Sequence, residues 1–280
     1  MVLNRYPDVV AALRDPRMHI VGGTVDEGAH RAMRDDARQL YSSERVAQWR
    51  PEFVKFAQDR AVLLTGEVEL VRDFAEPWSL SVAALVTGLD PAEARVLTPA
   101  ARIIFEAGAS PGEAIDARGA TRDLAARFPP AIAALQTQAF VALAVSLPAF
   151  LGNAWLALLG NRAELQWIGD PRAIDELLRF AGPSLTQVRV RGGERVELRL
   201  AEANRDPGEF HDPDRLDLRR DASGHVAFGG GSHACVGGAL VKAAVGSVFP
   251  VFVERFGHSR LIRSEPYGGR AIRGHRVYVI

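Results

Sequence analysis

The chain has 280 residues, 48% apolar and 24% charged, a mix that excludes disordered and collagen-like sequences and fits one domain, or one with two lobes. The 34 basic side chains balance 34 acidic ones, so the net charge is zero and a grip on nucleic-acid phosphates is not expected. The single cysteine, Cys235, permits no internal disulfide, and the opening Met1-Val2-Leu3-Asn4-Arg5-Tyr6-Pro7-Asp8 lacks the apolar run of an export signal, so a soluble cytoplasmic protein is expected.

Residues 6–14 place Val9, Val10 and Leu13 at helical spacing and stop at Asp15-Pro16. Val21-Gly22-Gly23 reads as a short loop. Helices are predicted over about 27–41, 43–64 and 74–85, with 67–71 as a brief strand or turn. Thr87-Gly88-Leu89-Asp90-Pro91 forms a turn whose proline opens another helix, and Ser110-Pro111-Gly112 punctuates the helical region ahead of a long uncharged stretch. That stretch, residues 128–161, has a length that can cross a bilayer. Prolines 129, 130 and 148, with Gln136, Gln138, Gly152 and Asn153, interrupt it, and its most apolar part, 139–151, is too short to span. A long helix through the middle of a soluble protein is therefore expected, without membrane insertion. Residues 173–180 form a helix ended by Ala181-Gly182-Pro183.

The last third changes character. Alternating runs over 187–191 and 194–200 flank Gly192-Gly193 and predict a hairpin. Residues 203–226 lack periodicity and are rich in Asp, Arg and Pro, and a loop of that length in a compact domain is usually functional. A helix is predicted over 239–256, and the tail ends in a strand-like 277–280. No internal repeat is visible.

The most informative segment is the glycine-rich loop Phe228-Gly229-Gly230-Gly231-Ser232-His233-Ala234-Cys235-Val236-Gly237-Gly238, which delivers the lone cysteine to the start of a helix. Helix N-termini favour anions, so Cys235 is placed to be a thiolate, and Gly237 lets backbone amides approach the sulfur. Four readings compete. A buried structural cysteine does not need the surrounding glycines. A Cys235/His233 nucleophile and base would sit two residues apart on one loop, which is poor geometry. A zinc site from His211, His225, His233 and Cys235 lacks paired ligand spacing. A haem iron held by one thiolate needs a single cysteine on a loop passing close beneath a flat macrocycle, and this loop has that form.

The loop resembles the haem-binding signature of the cytochrome P450 superfamily, F-x-x-G-x-H/R-x-C-x-G, at Phe228, Gly231, His233, Cys235 and Gly237. Glu176-Leu177-Leu178-Arg179 resembles the family's E-x-x-R pair, the stretch 203–216 its meander, and His30-x-x-x-Arg34 its C-helix pair; the likeness runs from about Tyr6 to the C-terminus. The resemblance implies a mainly α fold with a small β subdomain, a compact P450 fold lacking the N-terminal elements and the B′ helix. It implies one haem-thiolate domain over 1–280, with a mostly helical lobe at about 25–182 and a β-rich, meander and cysteine-loop region at about 183–280. It also implies haem b as cofactor, with Cys235 as the iron ligand and His30, Arg34 and His233 holding the propionates. Phe228 would pack by the sulfur, Gly229, Gly231 and Gly237 would shape the loop, and Glu176, Arg179 and Arg215 would form a structural triad.

The chain departs from the family pattern in two places. It is short: a dozen residues separate Arg17 from His30, which leaves no room for a B′ helix, and the region before the long helix and the link from Arg179 to Ala203 are compressed. A reduced lid and an open pocket are expected, or a pocket closed by a second subunit or a partner protein. The oxygen-activating A-G-x-D/E-T of the family falls on Ala142-Leu143-Ala144-Val145-Ser146, so the acid is Val145, the glycine is Leu143, and only the Ser146 hydroxyl remains as a candidate catalytic group. Pro148 frees the carbonyl of Ala144 and is expected to kink the helix there.

The leading expectation is a haem-thiolate oxidoreductase of monooxygenase type that oxidises a small organic substrate with electrons from a ferredoxin- or flavodoxin-type partner. Two alternatives stand beside it: a haem protein that rearranges or dehydrates its substrate without activating dioxygen, and a non-catalytic haem sensor or accessory protein.

Overall fold

The computed structural model describes residues 1–20, 27–106, 111–269 and 273–280. Helix α1 (Tyr6–Arg14) carries Pro7 in its first turn, where no helix hydrogen bond is lost, and buries Val9, Ala12 and Leu13. It lies between two short strands, β1 (Val2–Leu3) and β2 (His19–Ile20). Helices α2 (Glu27–Leu40) and α3 (Ser43–Ala61) stand close to their expected bounds, and Ser42 caps α3 by accepting the Arg45 amide at 3.4 Å. The loop expected at 21–23, where the lid would also have to form, lies outside the described residues, as does Ser110.

Residues 67–71 contain both expected alternatives. Strand β3 (Val68–Glu69) leads into a π-helical turn, Val71–Ala75, that continues as α4 (Glu76–Thr87). Gly88 ends α4 at φ +73°, the left-handed conformation that lets its N–H reach the Ala84 carbonyl. Helices α5 (Pro91–Glu106) and α6 (Pro111–Ala125) pack on each other.

The uncharged stretch forms a rod. Helix α7 (Ala133–Val141) passes through a second π-turn, Ala142–Ser146, into α8 (Leu147–Gly160). Among the described residues this is the helix long and apolar enough to cross a bilayer, and 67% of its most apolar window is buried inside the fold. A Cβ at Gly152 would collide with the His275 carbonyl oxygen, so glycine is what lets the C-terminal strand press against the rod. Helix α9 (Ala173–Ala181) comes next. Strands β4 (Thr186–Arg191) and β5 (Glu194–Arg199) then form the expected hairpin, turning on Gly192 and Gly193 at φ +57° and +86°, the type I′ signature. After α10 (Leu200–Ala203) come the irregular meander and the cysteine loop. Helix α11 (Gly238–Phe256) and strands β6 (Leu261–Gly268) and β7 (Arg273–Val279) complete the chain.

The strands form two sheets, β1-β5-β4-β2 and β3-β7-β6. Here the tail reading is corrected: β7 begins at Arg273, ahead of the expected 277, and pairs with β6, a strand the sequence does not announce. Strand β6 is an edge strand, mostly exposed and containing Pro266, so it carries no alternation to read. The main core surrounds the rod, where Trp155 stacks on Phe252 at 4.7 Å with an 11° interplanar angle. A smaller core packs α1 against β5 and α10 through Val9, Leu13, Leu198 and Leu200.

Candidate active site

The cysteine loop is shaped by backbone before side chains enter. Gly229 and Gly231 stand at φ +68° and +66°, and a Cβ on Gly231 would collide with the Leu13 carbonyl oxygen. The loop therefore presses on the C-terminal end of α1 only because that position is glycine. The Cys235 amide donates to the Phe228 carbonyl at 2.9 Å and closes the loop just before α11. A Cβ on Gly237 would lie 3.9 Å from Cys235 Sγ, and the Gly237 amide hydrogen-bonds the sulfur. Packed protein around the thiol pushes its pKa up, while that amide and Arg34 favour the thiolate.

Cys235 opens onto a cavity of about 550 Å³. The loop and Leu240 form one wall, and Leu135, Ala139, Ala142 and Leu143 of the rod form the other. His30, Arg34 and His233 stand together on its lining, as the sequence implied. Arg34 Nη1 donates to the Ala234 carbonyl at 2.7 Å, and the His30 and His233 rings lie 4.6 Å apart. Burial, and then the charges of Arg189, His30, Arg34 and His19, push the His233 pKa down to about 4, and its buried Nδ1 has no partner. Among the described residues no carboxylate is paired with this cationic end.

Arg189 belongs to that cluster and was missed by sequence reading. Alternation along β4 suggests Val188 and Val190 as the inward pair, yet Arg189 is the buried residue, 5% exposed, with Nη2 donating to Gln187 Oε1 at 3.0 Å. Only its distance from His233 in the fold reveals its role, and no local signal carries that.

Behind the loop, Phe228 meets His225 edge-on at 5.5 Å. His225 Nδ1 accepts the Ala227 amide at 3.2 Å, which leaves its proton on Nε2 facing Asp175 Oδ1 at 3.4 Å. Lys242 reaches the same oxygen at 2.5 Å. Among the described residues no three His, Cys, Asp or Glu groups converge on a metal position.

Glu176 and Arg179 form a fully buried bidentate pair, 2.6 and 2.9 Å, and Arg179 Nη1 donates to the Asn204 and Pro213 carbonyls. The expected third member is corrected. Arg215 is exposed, and Arg220 Nε reaches Glu176 Oε1 at 3.2 Å. Leu216 and Leu218 are buried, and a turn closed by the Arg220 amide on the Asp217 carbonyl at 2.9 Å brings Arg220 back beside Glu176.

The second π-turn coincides with the altered five-residue motif; the Leu147 amide donates to the Ala142 carbonyl across it. Ala142 and Leu143 face the cavity. Ser146 is half-buried a turn further on and does not line it.

The residues fit haem. A single thiol faces a cavity walled by a helix and a glycine loop, and an unanswered cationic end suits two carboxylates. No family model matches the chain. Cytochrome P450 107B1 of Saccharopolyspora erythraea is 37% identical over 132 residues, 41% of this chain and 33% of that protein. A vitamin D(3) 25-hydroxylase of Pseudonocardia autotrophica is 38% identical over 121 residues, 35% of this chain and 30% of that protein. These matches span about a third of each relative's length. The cyclomarin C epoxidase CymV of Salinispora arenicola is 25% identical over 91% of this chain and 82% of its own. Among solved structures, P450BioI in complex with an acyl-ligated acyl carrier protein has a TM-score of 0.89 at 20% identity, covering 99% of this chain and 91% of that one. CYP164A2 of Mycobacterium smegmatis reaches 0.87 at 20% identity, with 99% and 90% covered.

The fold is that of solved cytochrome P450 structures, and the residues around Cys235 suit a haem b held by one thiolate. The rod, the buried Glu176–Arg179 pair and the cysteine loop follow one another along the chain. In part of its sequence and in its whole fold the chain is similar to cytochrome P450s.

Proposed function

We propose that the protein is a haem-thiolate monooxygenase that oxidises a small organic substrate, drawing electrons from a separate ferredoxin- or flavodoxin-type protein in the cytoplasm. One observation carries this reading: the lone thiol and the cationic cluster line the same cavity. The hydroxylase and epoxidase activities named for two of the relatives support it.

When bound, the haem supplies a redox-active iron at which dioxygen is activated for transfer of one oxygen atom to substrate. The chain's own residues do the rest. Cys235 ligates the iron, and the Gly237 amide tunes the sulfur by hydrogen bonding. His30, Arg34 and His233, with Arg189 beside them, would hold the haem propionates. Leu143 and Ala139 present apolar surface to substrate and keep water from part of the cavity. Gln138 also lines it and offers a neutral donor and acceptor. Val145 cannot move a proton and Ser146 does not line the cavity, so neither residue of the altered motif is placed to deliver one there.

That same substitution favours a second reading, a haem-thiolate protein that rearranges or dehydrates its substrate without dioxygen. Two measurements separate the cases. In the first, the reduced holoprotein under carbon monoxide gives the red-shifted Soret band of a thiolate ligand, and Cys235→Ala abolishes it; a wild-type band at the position of a histidine-ligated haem overturns the assignment. In the second, turnover with reductant and dioxygen, with peroxide, and with neither assigns the oxidant. Product formed equally without either one overturns the monooxygenase reading in favour of the rearrangement.

A further inference from the structure

A second cavity lies on the other side of the rod. It measures about 810 Å³ and is walled by α3, α4 and α5. Its floor reaches the π-turn at Ala144, which is 4% exposed, so a single helix separates it from the cysteine cavity. Phe56, Trp78, Leu80 and Pro99 give it an apolar lining, and Leu63, 68% exposed, continues that surface to the rim.

The charges around this cavity do not cancel. Asp59 is held by Lys55 at 2.8 Å, Glu76 by Arg102 at 2.6 Å, and Asp73 by Arg72 at 2.7 Å. Arg60 donates to the Asp73 carbonyl oxygen. Arg95 lines the cavity with no hydrogen-bond or ion-pair partner among the described residues. A guanidinium at the edge of an apolar pocket matches a carboxylate, which it can bind through two parallel hydrogen bonds. The volume falls in the range of small-molecule sites, which are mostly apolar with a few placed polar groups.

We propose that this cavity is a second ligand site, separate from the haem site, and that it takes a small carboxylic acid with an apolar body, its carboxylate on Arg95 and its body against Phe56 and Leu80. The proposal is independent of the oxidative reading, because none of these residues lines the cysteine cavity.

The test is calorimetric titration of the haem-loaded protein with decanoate, with imidazole at saturation to occupy the cysteine cavity. The expected result is saturable binding that survives imidazole, weakens at least tenfold in Arg95→Gln, and is at least tenfold weaker for 1-decanol. The absence of saturable binding, displacement by imidazole, or equal affinity in Arg95→Gln overturns the proposal. Arg95 is exposed, so its replacement leaves folding intact, and an unchanged Soret spectrum in the variant verifies this.

Discussion

A turn of the meander brings Arg220 onto buried Glu176 and leaves Arg215 exposed, and the difference is energetic as well as geometric. Arg220 Nε reaches the buried Glu176 carboxylate at 3.2 Å, and its Nη2 donates to the Asp212 and Arg215 carbonyls at 3.0 and 3.2 Å. Losing it leaves those acceptors short of a donor, so Arg220→Ala should cost about 1–3 kcal/mol in urea unfolding. Arg215→Ala should stay within about 0.5 kcal/mol of wild type, as exposed substitutions do. Arg189 makes a different prediction. It is buried among His233 and Arg34 without a carboxylate, and desolvation lowers its own pKa, so in the absence of an anion it is a cost to the fold. Arg189→Leu should leave the apoprotein folded and speed haem loss to an apoprotein scavenger at least tenfold. An unchanged rate would remove Arg189 from the propionate grip. Cys235, His233 and Arg34 stand in motifs that resemble the family's, and the structure places all three on the lining of one cavity. Arg189 and Arg220 could not be read from the sequence, because strand register and the turns of the meander bring them in from a distance.

Among elements, the rod was legible as a long helix but not as an interrupted one. The sequence offered Pro148 as the cause of a kink near Ala144, and the structure answers with a π-turn over Ala142–Ser146, just before that proline. The turn presents Ala142 and Leu143 to the cysteine cavity and leaves Ser146 aside. Ser146→Ala should therefore change product formation less than twofold, whereas Leu143→Ala should enlarge the cavity and shift which substrates are accepted; a tenfold loss in Ser146→Ala would restore the hydroxyl to the proton path. A second link joins α9, the meander and α11 through Asp175, His225 and Lys242. Burial holds the His225 pKa below its ordinary 6.5, so the unfolded chain binds the proton more readily. Its contribution is complete above about pH 6.5 and is lost as the pH falls below that value. Between about pH 7.5 and 5.5 the wild type should lose more unfolding free energy than His225→Gln. Parallel losses in the two proteins would show that this histidine does not set the acid sensitivity.

At the scale of the whole molecule, the haem loop is suspended between two cores. Leu240 belongs to the large core around the rod and Phe228 packs against it, while Gly230 and Gly231 lie against Leu13 of the small core under the β4–β5 hairpin. A change of periodicity near residue 183 was visible in the sequence, though β1, β2 and β3 before it join the two sheets and α11 lies after it, so it does not mark the boundary between the cores. That the cysteine loop bridges the two cores was not visible, since it depends on a glycine meeting the backbone of α1, far away in the chain. The arrangement predicts that the site fails before the helical body does. Leu198 is fully buried in the small core, so Leu198→Ala should remove about 2–5 kcal/mol there. The cysteine loop would then lose its backing at α1 while the packing of Trp155 and Phe252 stays intact. In a urea titration of this variant monitored at two wavelengths, the Soret band should be lost at a lower concentration than the far-ultraviolet helix signal, whereas the wild type loses both together. Coincident loss in the variant would mean that the two cores unfold as one cooperative unit, and that the thiolate's position depends on the whole fold and not on the hairpin beneath it.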